Sequence, residues 1–88
     1  METKIIHRPE RNRFETVKDG YTAYVEYNIS DNELNILHTI VPDEISGQGI
    51  ASRLVKETYE YARKHSLKPV ATCSYAVAWL EKHKDYKS

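Results

Sequence analysis

Hydrophobic periodicity changes along this chain at Gly49, and that switch limits the fold more than any other feature. Upstream the period is two. Tyr21, Ala23, Val25, Tyr27 and Ile29 alternate with Thr22, Tyr24, Glu26 and Asn28, the pattern of a strand with one buried face. Phe14 to Val17 reads as a shorter strand. Glu33 to Val41 reads as a central one, with Leu34, Ile36, His38 and Ile40 on one face and Leu37 and Val41 on the other. Residues 1 to 12 have room for a short edge strand, where Pro9 is tolerated. Lys18-Asp19-Gly20 and Ser30-Asp31-Asn32 are turn clusters, and Pro42 ends the strand from Glu33 to Val41.

Downstream the spacing becomes helical. Ala51, Leu54, Val55, Thr58 and Ala62 form the dry stripe, and Arg53, Lys56, Glu57, Glu60 and Lys64 the wet one. Arg63, Lys64 and His65 fall in the last turn, where positive charge suits the helix dipole. Pro69 to Cys73 is a short apolar strand. A second helix is expected from about Tyr75 to His83, with Ser74 as its N-cap. The helix between Val41 and Pro69 is a crossover, which makes its two flanking strands parallel. The expected class is α+β, with a mixed, mostly antiparallel sheet and the order β-β-β-β-α-β-α.

A chain of 88 residues supports one domain, here expected to span 1–88, with a thin core. Thirteen basic and thirteen acidic residues cancel, which argues against nucleic-acid binding through bulk charge. A single cysteine, Cys73, forbids an intrachain disulfide. No apolar run approaches the ~20 residues of a membrane span, and no secretory stretch opens the chain. The expectation is a cytoplasmic protein without membrane or nucleic-acid partners, and either a monomer or a homodimer. No histidine pair has zinc-ligand spacing, so no metal is expected.

Chemistry concentrates in His38-Thr39-Ile40-Val41-Pro42-Asp43-Glu44-Ile45-Ser46-Gly47-Gln48-Gly49-Ile50-Ala51. A strand leads through a glycine turn into a helix. Amides at a helix start lack intrahelical partners, and the dipole makes that end positive, which suits a phosphate or diphosphate. On spacing alone, an ordinary turn ahead of a helix is the favoured reading. The dinucleotide fingerprint fails, because its third glycine would fall at Ser52. No Gly-Lys-Ser/Thr occurs, which excludes a Walker loop.

The run from His38 to Ala51 resembles the CoA-binding motif of the GNAT superfamily, Arg/Gln-x-x-Gly-x-Gly/Ala, here Glu44-Ile45-Ser46-Gly47-Gln48-Gly49. The first position departs from that pattern. Three ordered segments resemble a compact subfamily: His38-Thr39-Ile40-Val41-Pro42, Gly47-Gln48-Gly49-Ile50-Ala51 and Cys73-Ser74-Tyr75. The resemblance implies an α/β/α arrangement whose sheet splays between the strands ending at Val41 and Cys73. It also implies acetyl-CoA as co-substrate. The diphosphate would lie on Gly47, Gln48, Gly49, Ile50 and Ala51, and the pantetheine arm would pair with the backbone of Ile40 and Val41. The thioester would lie near His38 and Cys73, and the adenine end near Ser74 and Tyr75.

A lone cysteine is commonly a small core residue, and a strand histidine commonly a hydrogen-bonded one. On two strands that flank one cleft, they can form a nucleophile and its base. Cys73 would then carry the acyl group with help from His38. In the rival route the amine attacks the thioester directly, with His38 as base and Tyr75 as proton donor to the leaving thiolate. Three functions stay open: an N-acetyltransferase acting on an unidentified amine, a non-catalytic acyl-CoA-binding module, and an adaptor that kept the fold without the ligand.

Overall fold

The computed structural model describes residues 4–86, so the expected span of 1–88 runs past it at both ends. Five strands form one sheet in the order β1-β2-β3-β4-β5: Ile6–Arg8, Arg13–Lys18, Tyr21–Ser30, Glu33–Ile40 and Lys68–Ala71. The first three pairings are antiparallel, and β4–β5 is parallel. Helix α1 spans Ile50–Lys64 and helix α2 spans Ser74–Lys82. The mixed sheet, the element order and the parallel pair agree with the sequence.

The hairpins follow from their turn residues. Asp19 and Gly20 have φ 53° and 81°, and Asp31 and Asn32 have φ 53° and 63°. Two successive residues at positive φ make the tight turn whose twist matches antiparallel strands. The turns set the registers Lys18↔Tyr21 and Ser30↔Glu33.

Helix α1 buries Ile50, Leu54, Val55, Thr58, Tyr59 and Ala62 along one stripe. Thr58 donates its hydroxyl to the Leu54 carbonyl at 2.8 Å, which removes the cost of hiding it. Tyr59 donates to the Val70 carbonyl at 2.6 Å and ties the helix to β5. The C-terminus closes as a Schellman motif. Ser66 has φ 58°, Leu67 N–H bonds Ala62 O, and Ser66 N–H bonds Arg63 O.

Helix α2 starts one residue earlier than the sequence indicates. Cys73 is its N-cap, Ser74 lies inside the first turn, and no side chain caps the end. Trp79 donates from Nε1 to Ser52 Oγ at 3.0 Å and lies 5.9 Å from the Tyr59 ring, which docks α2 beside α1. Both helices share one core cluster with Phe14, Ala23, Val25, Tyr27, Leu34 and Ile36. On the other sheet face Arg13, Glu15, Tyr24, Glu26 and Asn35 are half-buried.

Strand β4 departs from simple alternation. Tyr27 pairs with Ile36 and Glu26 with His38, so Leu37 is an extra residue opposite β3. Such a bulge rephases every side chain beyond it. Leu34, Ile36 and then Thr39 face the core side, because Thr39 pairs with the fully buried Val25. His38 and Ile40 turn to the opposite face, beside Glu26 and Tyr24. The single-face grouping of Leu34, Ile36, His38 and Ile40 expected from period two is therefore corrected. The adjacent apolar pair Ile36-Leu37 marks a bulge, not a strand dry on both sides.

Candidate functional site

Strands β4 and β5 part soon after they meet. Their pairing runs from Glu33↔Lys68 to Ile36↔Ala71. The amides of Thr72 and Cys73 both reach back to Ile36 O, at 3.1 and 3.2 Å, and no ladder continues beyond that point. Strand β4 runs on to Ile40 with its β5-side edge unpaired by the ladder. A parallel pair that opens at a bulge leaves backbone donors and acceptors facing a gap.

At the end of that gap lies the glycine loop. Gly47 and Gly49 have φ 75° and 77°, the left-handed region open to glycine. Both are exposed, and a Cβ built on either meets nothing within 4 Å. The restraint on residue type is therefore conformational, and the space in front is open. Gly49 is the N-cap of α1 and brings no side chain to its amides. The first turn holds no acidic residue, so the positive end of the dipole is uncompensated.

A groove of about 250 Å³ runs past this turn, lined by Val41, Ser46, Gly47, Gly49, Ile50, Ala51, Ser52 and Tyr75. A second hollow of about 140 Å³ shares Ser52 and Tyr75 with it and continues along α2 to Lys82 and His83. A larger hollow, about 570 Å³ around Arg63, Lys68 and Tyr86, lies at the other end of α1 and shares no residue with the loop. Size is thus a poor guide here; uncapped amides and glycine backbone are the features that suit a diphosphate.

Cys73 sits between the gap and α2. Its Sγ–H donates to Thr39 Oγ1 at 3.5 Å. Burial pushes the thiol pKa up, but once the proton is lost the thiolate can accept from the Thr39 hydroxyl and from the backbone of Ala76, Tyr75 and Thr39; these bonds outweigh burial, and the net direction is down. The groups acting on the thiol are thus the start of α2 and Thr39. Burial first, and then the charge of the nearby thiolate, raise the Tyr59 hydroxyl well above the ordinary tyrosine range, so it stays a donor to Val70.

Several residues singled out in the sequence meet here. Val41, Gly47, Gly49, Ile50, Ala51 and Tyr75 line one groove. Gln48 and Ser74 are exposed beside it. Ile40 is 44% exposed, on the sheet face that carries His38. His38 is exposed and separated from the Thr39–Cys73 contact by strand alternation. Thr39 and Ser52 carry no role in the sequence reading. A hydroxyl residue between His38 and Ile40 is the only local sign of Thr39, and its direction depends on the bulge. No group of three His, Cys, Asp or Glu residues is placed to hold a metal among the described residues. No described helix is long and apolar enough to cross a membrane.

A parallel strand pair opening beside a glycine-framed helix start, within an otherwise antiparallel sheet, defines the GNAT class of α+β proteins. The model of the GCN5-related N-acetyltransferase family matches residues 13–88, and the chain belongs to that family. Its fold is similar to the solution structure of a GCN5-like candidate N-acetyltransferase from Staphylococcus aureus. The two are 40% identical with a TM-score of 0.75, over 94% of this chain and 82% of the other. Acetyl transfer is the activity of the family, and acetyl-CoA is its co-substrate.

Proposed function

We propose that this chain transfers an acetyl group from acetyl-CoA to an amine, with Cys73 as the transient acyl carrier. The observation that carries the reading is the Cys73 thiol, hydrogen-bonded to Thr39 at the mouth of the β4–β5 gap, two residues before the Tyr75 that lines the groove along the uncapped start of α1. Gly47, Gln48 and Gly49, with the amides of Ile50 and Ala51, hold the diphosphate. The unpaired edge of β4 at Ile40 and Val41 receives the pantetheine arm, and the hollow along α2 beyond Ser74 and Tyr75 takes the adenosine end.

In the first half-reaction the Cys73 thiolate attacks the acetyl carbonyl. An Sγ–C bond forms, the bond to CoA sulfur breaks, and the CoA thiolate takes a proton. Tyr75 is a donor candidate, because it lines the same groove. In the second half-reaction the amine attacks the acetyl-cysteine. A C–N bond forms, the Sγ–C bond breaks, and the amine proton passes to His38.

A second reading is direct attack of the amine on acetyl-CoA. The exposure of His38 on the face opposite Thr39 favours it, since a base there needs no contact with the thiol. Intact-protein and peptide mass measurements after incubation with acetyl-CoA test the first reading. An acetyl increment on Cys73, discharged by amine, supports it. Near-normal transfer by Cys73→Ala moves the chemistry to the direct route. CoA binding by calorimetry without any transfer makes the chain a binding module, and the absence of binding at near-millimolar CoA makes it an adaptor.

A further inference from the structure

We propose that the hollow along α2 is a phosphomonoester site in which Lys82 and His83 hold the 3′-phosphate of CoA, so that the chain selects CoA over 3′-dephospho-CoA; this rests on the acetyl-transfer reading. Tyr75, Ala78, Trp79 and Lys82 recur at i, i+3, i+4 and i+7, which sets them on one face of α2, and His83 caps the helix beside them. That face, with Ser52 of α1, walls the hollow of about 140 Å³. Tyr75 and Lys82 stand two turns apart, about 10 Å along the axis. Between them Ala78 brings only a methyl group, which leaves the wall low where a ribose has to pass.

Charge along this track selects an anion. The hollow meets the glycine groove at Ser52 and Tyr75, and no carboxylate lines either of them, although the chain has as many acidic as basic residues. The neighbouring acids turn elsewhere: Glu81 lines a groove along β5, and Asp85 lines the hollow around Arg63. Lys82 is exposed in the last turn of α2, and His83 is half-buried after it. Their positive charge offsets the negative end of the helix dipole.

Trp79 positions two of the polar groups. Its indole N–H goes to Ser52 Oγ at 3.0 Å, so the Ser52 hydroxyl proton is left for a ligand oxygen. Its carbonyl lies 2.9 Å from His83 Nδ1 and can only accept, which puts a proton on Nδ1 and leaves Nε2 for the ligand. The imidazole also stacks on the indole at 3.9 Å, so its direction is set twice. A phosphomonoester carries about −1.5 to −2 charge at pH 7, because its last proton comes off near pH ~6. It can therefore share a proton with Nε2, which the doubly esterified diphosphate cannot do at neutral pH. Lys82 adds a full positive charge and a charge-assisted hydrogen bond.

The test is calorimetric titration of the whole chain with CoA and with 3′-dephospho-CoA at neutral pH and low salt. Wild type is expected to bind CoA roughly tenfold more tightly than the dephospho form. Lys82→Gln should lose most of that preference and His83→Gln part of it, with affinity for the dephospho form unchanged in Lys82→Gln. Lys64→Gln is the control, because Lys64 is likewise a lysine in the last turn of a helix but lies outside the hollow. Equal affinities for the two ligands in wild type, a preference that survives Lys82→Gln, or one lost as fully in Lys64→Gln, each overturn the site while leaving acetyl transfer standing. Failure of both ligands to bind overturns the underlying transferase reading, and this one with it.

Discussion

Any side chain at Gly47 or Gly49 must adopt φ 75° or 77°, which costs an L-residue about 1–2 kcal/mol. Gly20 has φ 81° in the β2–β3 turn, far in topology from the α1 start, and so supplies a control. Gly49→Ala and Gly20→Ala are expected to lose about 1 kcal/mol of stability each in urea titrations. Only Gly49→Ala should also weaken CoA binding, read by calorimetry, because only that loop presents uncapped helix amides. Equal effects of the two on CoA affinity would remove the loop from the site. Thr39 supports a second residue-level prediction. Thr39→Val removes the hydroxyl that lowers the Cys73 thiol and leaves the burial that raises it. The midpoint of the pH–rate profile for iodoacetamide alkylation should move up in Thr39→Val and stay near wild type in Thr39→Ser.

Strand β1 is three residues long and holds the sheet edge largely through His7. The imidazole stacks on Phe14 at 4.1 Å, accepts or donates a 2.6 Å hydrogen bond with the Tyr27 hydroxyl, and meets Tyr61 edge-on at 4.5 Å. Burial lowers its pKa from the ordinary value; Glu10 opposes that shift and His65 adds to it. Tyr27, buried beside Tyr61, is pushed up to about 12 and remains a neutral hydroxyl. The sign follows from linkage. A histidine that resists protonation when folded binds more protons when unfolded, so its contribution is full above pH ~6.5 and is lost as the pH falls through the lowered folded value. Thermal melts should therefore show a steeper loss of Tm from pH 7.5 to pH 5 in wild type than in His7→Gln. Parallel pH dependences would mean that His7 does not titrate on unfolding.

At the scale of the molecule, one indole joins the layers. Trp79 packs on Tyr59, stacks with His83 at 3.9 Å, meets Tyr86 at 5.1 Å and donates to Ser52. Tyr86 also bonds Glu60 through its hydroxyl, and Arg63 lies over its ring at 4.6 Å, so the last turn of the described chain is fastened to α1. Domains this small have about 5–15 kcal/mol in hand. Trp79→Ala should cost about 3–5 kcal/mol and shift the urea midpoint by a large fraction of its value. Trp79→Phe keeps most of the packing, and half-exposed Ser52 can turn to water, so about 1 kcal/mol is expected. Because Trp79 and Ser52 also wall the hollow beside Tyr75, Trp79→Phe is predicted to weaken CoA binding more than it weakens the fold.

How much of this was legible in the sequence differs by element. Alternation in β3, the Asp-Gly and Asp-Asn turns, the α1 stripe and the glycine loop are local: each depends on residues within a few positions, and propensity and period report on such features directly. The Gly47 and Gly49 backbone and the parallel pair followed from those local signals and the connectivity; the place of Cys73 did not, since β5 ends at Ala71 and the cysteine is the N-cap of α2. Nor did the side of β4 to which His38 points. Ile36-Leu37 fits a two-sided strand as well as a bulge, and pairing with β3 decides between them. That choice turned Thr39 to the thiol and His38 to the far face, and it left Glu26 beside the histidine. Sequence alone determined which segments are strand, turn and helix, since that information lies in near neighbours. The tertiary structure decided which side chains meet across β4, because register is a property of two strands together and one extra residue reverses every side chain beyond it.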